Sequence, residues 1–150
     1  MPKKKIEAKY LFDLYAVIEA LTCGNNLIRN AFITGLSSGK IKFPKSLSKE
    51  LKDVDEDVYR DFQDIKSGRV YIDEGAKHHA TQSALMDKYG TSIFGGSPRP
   101  SSFCTVAISA VEKLDLVTHG RSLNDCEKIV KKCAITKPKV ISLSDFAASV

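Results

Sequence analysis

Tyr10-Leu11-Phe12-Asp13, followed by the helical stretch Leu14 to Leu21, decides how this sequence is read. Three consecutive apolar residues lack the two-residue alternation of a half-exposed strand, so they predict a short strand covered on both faces. Asp13 then sits at the strand's C-terminal mouth. Downstream, Cys23-Gly24-Asn25-Asn26 supplies a glycine stop and an asparagine cap for a second helix. In that helix Leu27, Ile28, Ala31, Phe32 and Leu36 share one face, and Ser37-Ser38-Gly39 ends it.

The pattern then repeats with variations. Ile41-Lys42-Phe43 predicts a second strand stopped by Pro44, and Ser46 is placed to cap a helix whose first turn carries Glu50. Val54, Val58, Phe62 and Ile65 fall at helical spacing through the acidic stretch Asp53 to Asp61, which predicts a helix with a wet outer face that Ser67-Gly68 closes. Arg69 to Ile72 is a weak strand, and Asp73 is placed to cap a helix reaching about Tyr89. Three glycines and two prolines make residues 90–100 a loop, after which Ser101 or Ser102 caps an apolar helix. Leu114 to Thr118 predicts a strand, Leu123 to Cys133 a helix, Pro138 to Ser142 a last strand, and Leu143 to Ala148 a terminal helix. Strands separated by helices call for a parallel sheet, because parallel neighbours need long crossovers.

Composition is that of one ordinary globular domain: 150 residues, 43% hydrophobic and 27% charged. The longest apolar runs, such as Phe103 to Val111, are far shorter than the roughly 20 residues of a membrane span. Glu7 and Asp13 interrupt the stretch after the basic start, so secretion is not expected and the cytoplasm is the expected location. The four cysteines, Cys23, Cys104, Cys126 and Cys133, form no C-x-x-C pair and are expected to pack as thiols. A net charge of +5 favours contact with phosphates. Lysines gather at Lys3 to Lys5, between Lys40 and Lys52, and between Lys128 and Lys139, each group open to reading as a solvated face or as a backbone-binding rim.

Open parallel sheets bind ligands beyond the carboxyl ends of their strands, at a topological switch. That rule selects Asp13, Thr118, His119 and the surroundings of Glu50.

With these residues in place the chain resembles the PIN-domain nucleases. The family's apolar strand ending in Asp is matched by Leu11-Phe12-Asp13, and its early-helix Glu by Ser48-Lys49-Glu50-Leu51. The resemblance extends over the whole chain, 1–150, to Val140-Ile141-Ser142-Leu143-Ser144-Asp145-Phe146. It implies a three-layer fold, with a short parallel sheet of four to five strands and helices on both faces. It also implies metal-dependent ribonuclease chemistry of the kind found in toxin–antitoxin pairs, in which clustered carboxylates hold Mg²⁺ or Mn²⁺ and the ion polarises phosphate. Carried over residue by residue, it makes Asp13 and Glu50 metal ligands, places Ser102 and Thr118 at catalytic positions, and turns Arg99, His119 and Arg121 toward RNA. The same resemblance implies an antitoxin or other protein partner, and a homodimer.

Three positions depart from the family pattern. Ser102 occupies the place of a third acid, Gly120 that of a fourth, and Tyr15 that of an Asn two residues after the first Asp. A PIN-like domain without catalysis, binding RNA or a protein, is therefore the alternative. Each candidate also has a plain structural reading: Asp13 or Ser102 as a helix cap, Glu50 as a solvated charge, His119 as a surface side chain. His78-His79 are adjacent, project about 100° apart on a helix, and do not form a zinc pair, so both are expected at the surface. Gly95-Gly96-Ser97-Pro98 lacks the ending of a P-loop.

Overall fold

A computed structural model describes residues 8–65, 70–90, 98–136 and 139–149. The predicted stop at Ser67-Gly68, the Gly95-Gly96-Ser97 stretch, Lys3 to Lys5 and Lys137 lie outside the described residues.

Among the described residues, five parallel strands form one sheet in the order β3-β2-β1-β4-β5. They are β1 (Tyr10–Phe12), β2 (Ile41–Pro44), β3 (Val70–Ile72), β4 (Asp115–Val117) and β5 (Val140–Ile141). Among the same described residues, eight helices connect or follow them: α1 (Leu14–Thr22), α2 (Asn26–Ser37), α3 (Leu47–Val54), α4 (Glu56–Asp64), α5 (Ala76–Tyr89), α6 (Pro100–Glu112), α7 (Gly120–Lys132) and α8 (Leu143–Ser149). The register sets Leu11 against Lys42 on one side and Leu116 on the other, so β1 is the central strand.

Strand alternation sorts the core into two layers. Tyr10, Phe12, Ile41, Phe43 and Val117 join apolar side chains of α1 to α4 and α8 on one face. Leu11, Ile72 and Leu116 join Leu85 of α5, residues of α6 including Phe103, and Cys126 and Ile129 of α7 on the other. A sheet buried on both faces with helices outside makes a three-layer α/β fold. On the first face an aromatic cluster fixes the packing: Phe12 lies 5.1 Å from Phe32 and 4.9 Å from Phe146, and Phe62 lies 5.4 Å from Phe43, centroid to centroid. Burying each such ring contributes about 1.5–3 kcal/mol.

Local corrections concern caps and breaks. The acidic stretch is two helices, because Asp55 leaves helical geometry (φ −152°) and its carboxylate accepts the Val58 N–H at 3.2 Å, starting α4. Ser46 precedes α3, yet its hydroxyl makes no cap bond. Gly75 rather than Asp73 stands at the cap of α5, and Asp73 pairs in solvent with Lys45 at 3.0 Å. Arg99, not Ser101 or Ser102, is the capping position of α6, whose first residue Pro100 has no N–H to leave unsatisfied. His78 is buried rather than at the surface: its Nδ1 accepts the Gly75 N–H at 3.0 Å, and its Nε2 lies 3.1 Å from a Glu112 oxygen.

The topology places the crevice. From β1 the chain runs outward through β2 to β3, then crosses back to β4 on β1's opposite side. Helix α1 after β1 lies on one face and α7 after β4 on the other, so the ends of β1 and β4 open onto a gap between diverging connections.

Candidate functional site

Asp13 emerges from β1 into that gap and is 5% exposed. One carboxylate oxygen, Oδ1, caps α1 by accepting the Ala16 N–H at 2.9 Å. The other, Oδ2, accepts the Thr118 hydroxyl in a short bond and the Ser122 hydroxyl at 2.9 Å. Thr118 directly follows β4, and Ser122 lies in the first turn of α7 with its oxygen 2.8 Å from that of Thr118. The cap and the site therefore use different oxygens of one side chain. Burial pushes the Asp13 carboxyl above its ordinary range, and the bonds from Thr118, Ala16 and Ser122 offset only part of that.

A cavity of about 160 Å³ opens beside Asp13, and its lining includes Glu50 from α3 and Glu74 from the β3–α5 connection. Three carboxylates following β1, β2 and β3 thus converge on one space. Glu50 has its carboxyl raised by burial first, next by the negative charge of Glu74, and weakly by that of Asp13, against a lowering bond from Ser46. Ser46 donates to Glu74 Oε1 at 2.8 Å, which explains why its hydroxyl is unused as a cap. Hard oxygen donors of this kind suit Mg²⁺ or Mn²⁺, and a carboxyl raised by neighbouring negative charges, as Glu50 is, is relieved by a cation. Among the described residues, no group of three or more His, Cys, Asp or Glu side chains is arranged so that it could hold a metal ion, so Asp13, Glu50 and Glu74 share a cavity without forming a three-carboxylate ligand set.

Ser102 and Asp125 belong to a neighbouring cluster. Ser102 is buried and donates to Asp125 Oδ2 at 3.4 Å, and the same oxygen lies 3.4 Å from both the Arg99 backbone nitrogen and Arg99 Nε. Arg99 continues to the Tyr15 hydroxyl at 3.1 Å, with its guanidinium carbon 5.1 Å from the Tyr15 ring centroid. Asp125 does not line the cavity; its carboxylate pairs with Arg99. Between the clusters, burial and the charge of Asp13 push the Cys126 thiol up to about 12.

His119 and Arg121 are exposed at the start of α7, and His119 Nε2 lies 3.4 Å from Glu19 Oε2. Neither lines the cavity. Gly120 between them has φ +64°, a left-handed conformation that glycine adopts without strain. Several lysines of the basic groups already have partners: Lys45 has Asp73, Lys52 lies over the Tyr59 ring and Lys132 over that of Tyr89.

Sequence reasoning selected Asp13, Glu50 and Thr118, which meet here or line one wall of this space. It missed Glu74 and Ser122. The signal for Ser122 was available, since a residue four beyond Thr118 at a helix start falls back over the strand end. No signal distinguished Glu74 from its neighbours Asp73 and Gly75.

No protein-family model matches the sequence, and no curated protein matches it. Among solved structures, the crystal structure of PAE2754 from Pyrobaculum aerophilum is similar, with a TM-score of 0.57 and 11% identity over 95% of this chain and 96% of that one. At that identity the likeness shows the shared three-layer fold.

Proposed function

We propose that this chain is a PIN-like ribonuclease dependent on Mg²⁺ or Mn²⁺, with a rearranged acidic set in which Glu74 joins Asp13 and Glu50. The observation that carries this reading is the convergence of those three carboxylates on one cavity at the sheet's switch point. The site in this reading would hold an ion through Asp13 and Glu50, since Mg²⁺ keeps several waters and needs only one or two direct carboxylates, with Glu74 adding negative charge from the same cavity wall. A bound ion supplies polarisation of a phosphate oxygen and acidifies water. The chain's own residues supply the rest. Thr118 and Ser122 fix the Asp13 carboxylate in one orientation, and Ser46 steadies Glu74. Ser102 acts through Asp125 and Arg99 rather than as a nucleophile. Arg99, His119 and Arg121 meet RNA phosphates around the mouth, in keeping with the net charge of +5. A cytoplasmic toxin paired with an antitoxin, working as a homodimer, is the biological setting that fits this reading.

Cleavage of a mixed RNA panel with Mn²⁺, abolished in Asp13→Asn and at least tenfold slower in Glu74→Gln, is the expected result. Equal turnover by Asp13→Asn and the natural chain sinks the proposal.

A second reading, a PIN-like module that binds RNA or protein without cutting, is favoured by one specific observation. Both Asp13 oxygens are occupied by hydrogen bonds from within the chain. On this reading Mn²⁺ shows no saturable binding in calorimetry, and RNA association is unchanged by Asp13→Asn.

A further inference from the structure

Tyr15 is an exposed aromatic ring in the first turn of α1, two residues after Asp13, and it lines the same cavity as Asp13, Glu50 and Glu74. It is 37% exposed, enough for part of the ring to meet a ligand entering the mouth. An exposed tyrosine normally samples several rotamers, but this one is braced. Arg99 lies over the ring and donates to its hydroxyl, and the same guanidinium is anchored through Nε to Asp125, which is 5% exposed. A chain of contacts from α7 through the start of α6 to α1 thus holds a flat apolar face at the rim of an acidic cavity. Ordering cost is met before any ligand arrives, so a planar group that stacks there keeps more of its contact energy.

We infer that Tyr15, braced by Arg99 and Asp125, is a base-stacking subsite that seats the nucleobase next to the phosphate entering the cavity. The inference rests on the RNA reading above and adds a specificity residue to it. Stacking is tolerant of base identity, because every base presents a π-face, but it requires an unpaired base. The subsite therefore recognises a base that is present and exposed, rather than a backbone charge alone.

The test measures fluorescence anisotropy with the full chain in EDTA, so that cleavage does not intervene. The probes are a short labelled oligoadenylate and an abasic backbone of the same length and charge. The natural chain is expected to bind oligoadenylate about five- to hundredfold more tightly than the abasic strand, the range that stacking of a base on an aromatic side chain spans. Tyr15→Phe keeps that preference, since the ring remains. Tyr15→Leu removes it, so that the two strands then bind alike, and thermal melts of both variants confirm that they fold. A preference retained in Tyr15→Leu, or binding of both strands without preference by the natural chain, overturns the subsite and leaves the RNA reading standing. Failure to bind either strand overturns the subsite, and the Mn²⁺ cleavage panel then decides the RNA reading separately.

Discussion

Replacing Asp13 by Asn removes a negative charge from a nearly enclosed position while keeping shape and volume. Asn and Asp are equivalent helix caps, so the bond from the Ala16 N–H is retained. With the amide oxygen kept on the cap, the amide nitrogen faces Thr118 and Ser122, so two hydroxyls lose a charged acceptor and must turn to accept from the NH₂, costing about 1–3 kcal/mol each, and the attraction to the α1 N-terminus, ~0.3–1 kcal/mol, is lost. Against these stands the desolvation of a buried ion, effectively several kcal/mol. The carboxyl is raised above its ordinary value, so desolvation outweighs the bonds that favour the charge. The balance is a net stabilisation at neutral pH, seen as a higher Tm for the variant than for the natural chain.

The pH dependence fixes the sign independently. A carboxyl whose folded pKa lies above its unfolded value binds more protons in the folded state, so its contribution is fully present below the ordinary value of 3.8 and is lost as pH rises through the folded pKa. The natural chain and Asp13→Asn should therefore melt together in acid and separate as pH rises, with the variant the more stable. Thermal melts in EDTA across that range measure it. A variant less stable than the natural chain at pH 7, or a gap that does not change with pH, refutes the reasoning. Should the variant be both more stable and inactive, Asp13 is held at a cost to the fold, as functional carboxylates often are.

Other consequences are separable. Phe62 is fully buried between Phe32 and Phe43, and Phe62→Ala should lose about 3–5 kcal/mol in urea denaturation, whereas Val54→Ala, 64% exposed, should stay within ~0.5 kcal/mol. Glu74→Gln removes the second-largest cause of the raised Glu50 carboxyl, so side-chain NMR titration should show Glu50 moving down toward its ordinary value; no movement would mean the two do not share the cavity electrostatically. The buried Cys126 thiol, pushed up to about 12, should resist alkylation at pH 8 until the chain is unfolded, and mass spectrometry of labelled peptides checks this.

Much of the architecture was legible because its signals are local. Leu11-Phe12-Asp13 reads as a buried strand with a carboxylate at its mouth, since only a strand covered on both faces tolerates an unbroken apolar run. Asn25 and Asp55 have the side chains that cap helices, though Asp55 was hidden inside a hydrophobic period that runs through the break between α3 and α4. Where reading failed, a side chain served a distant partner. Ser46 looks like a cap in sequence, but its hydroxyl goes to Glu74, 28 positions away. Asp73 looks like a cap and is a solvent ion pair, while Gly75 begins the helix with a bond from its N–H to His78. The site's third carboxylate was hidden because Asp73-Glu74-Gly75 carries two acids of equal appearance, and only the β2–β3 pairing that ends at Pro44 and Ile72 decides which one turns inward.

Calorimetric titration of Mn²⁺ into the full chain decides whether Asp13 and Glu50, beside Glu74, hold one divalent ion. One saturable site is expected, weakening as pH is lowered through the raised carboxyl pKa values of Asp13 and Glu50, and lost in both Asp13→Asn and Glu50→Gln. Absence of saturable binding at neutral pH, or a site that survives both substitutions, would contradict it.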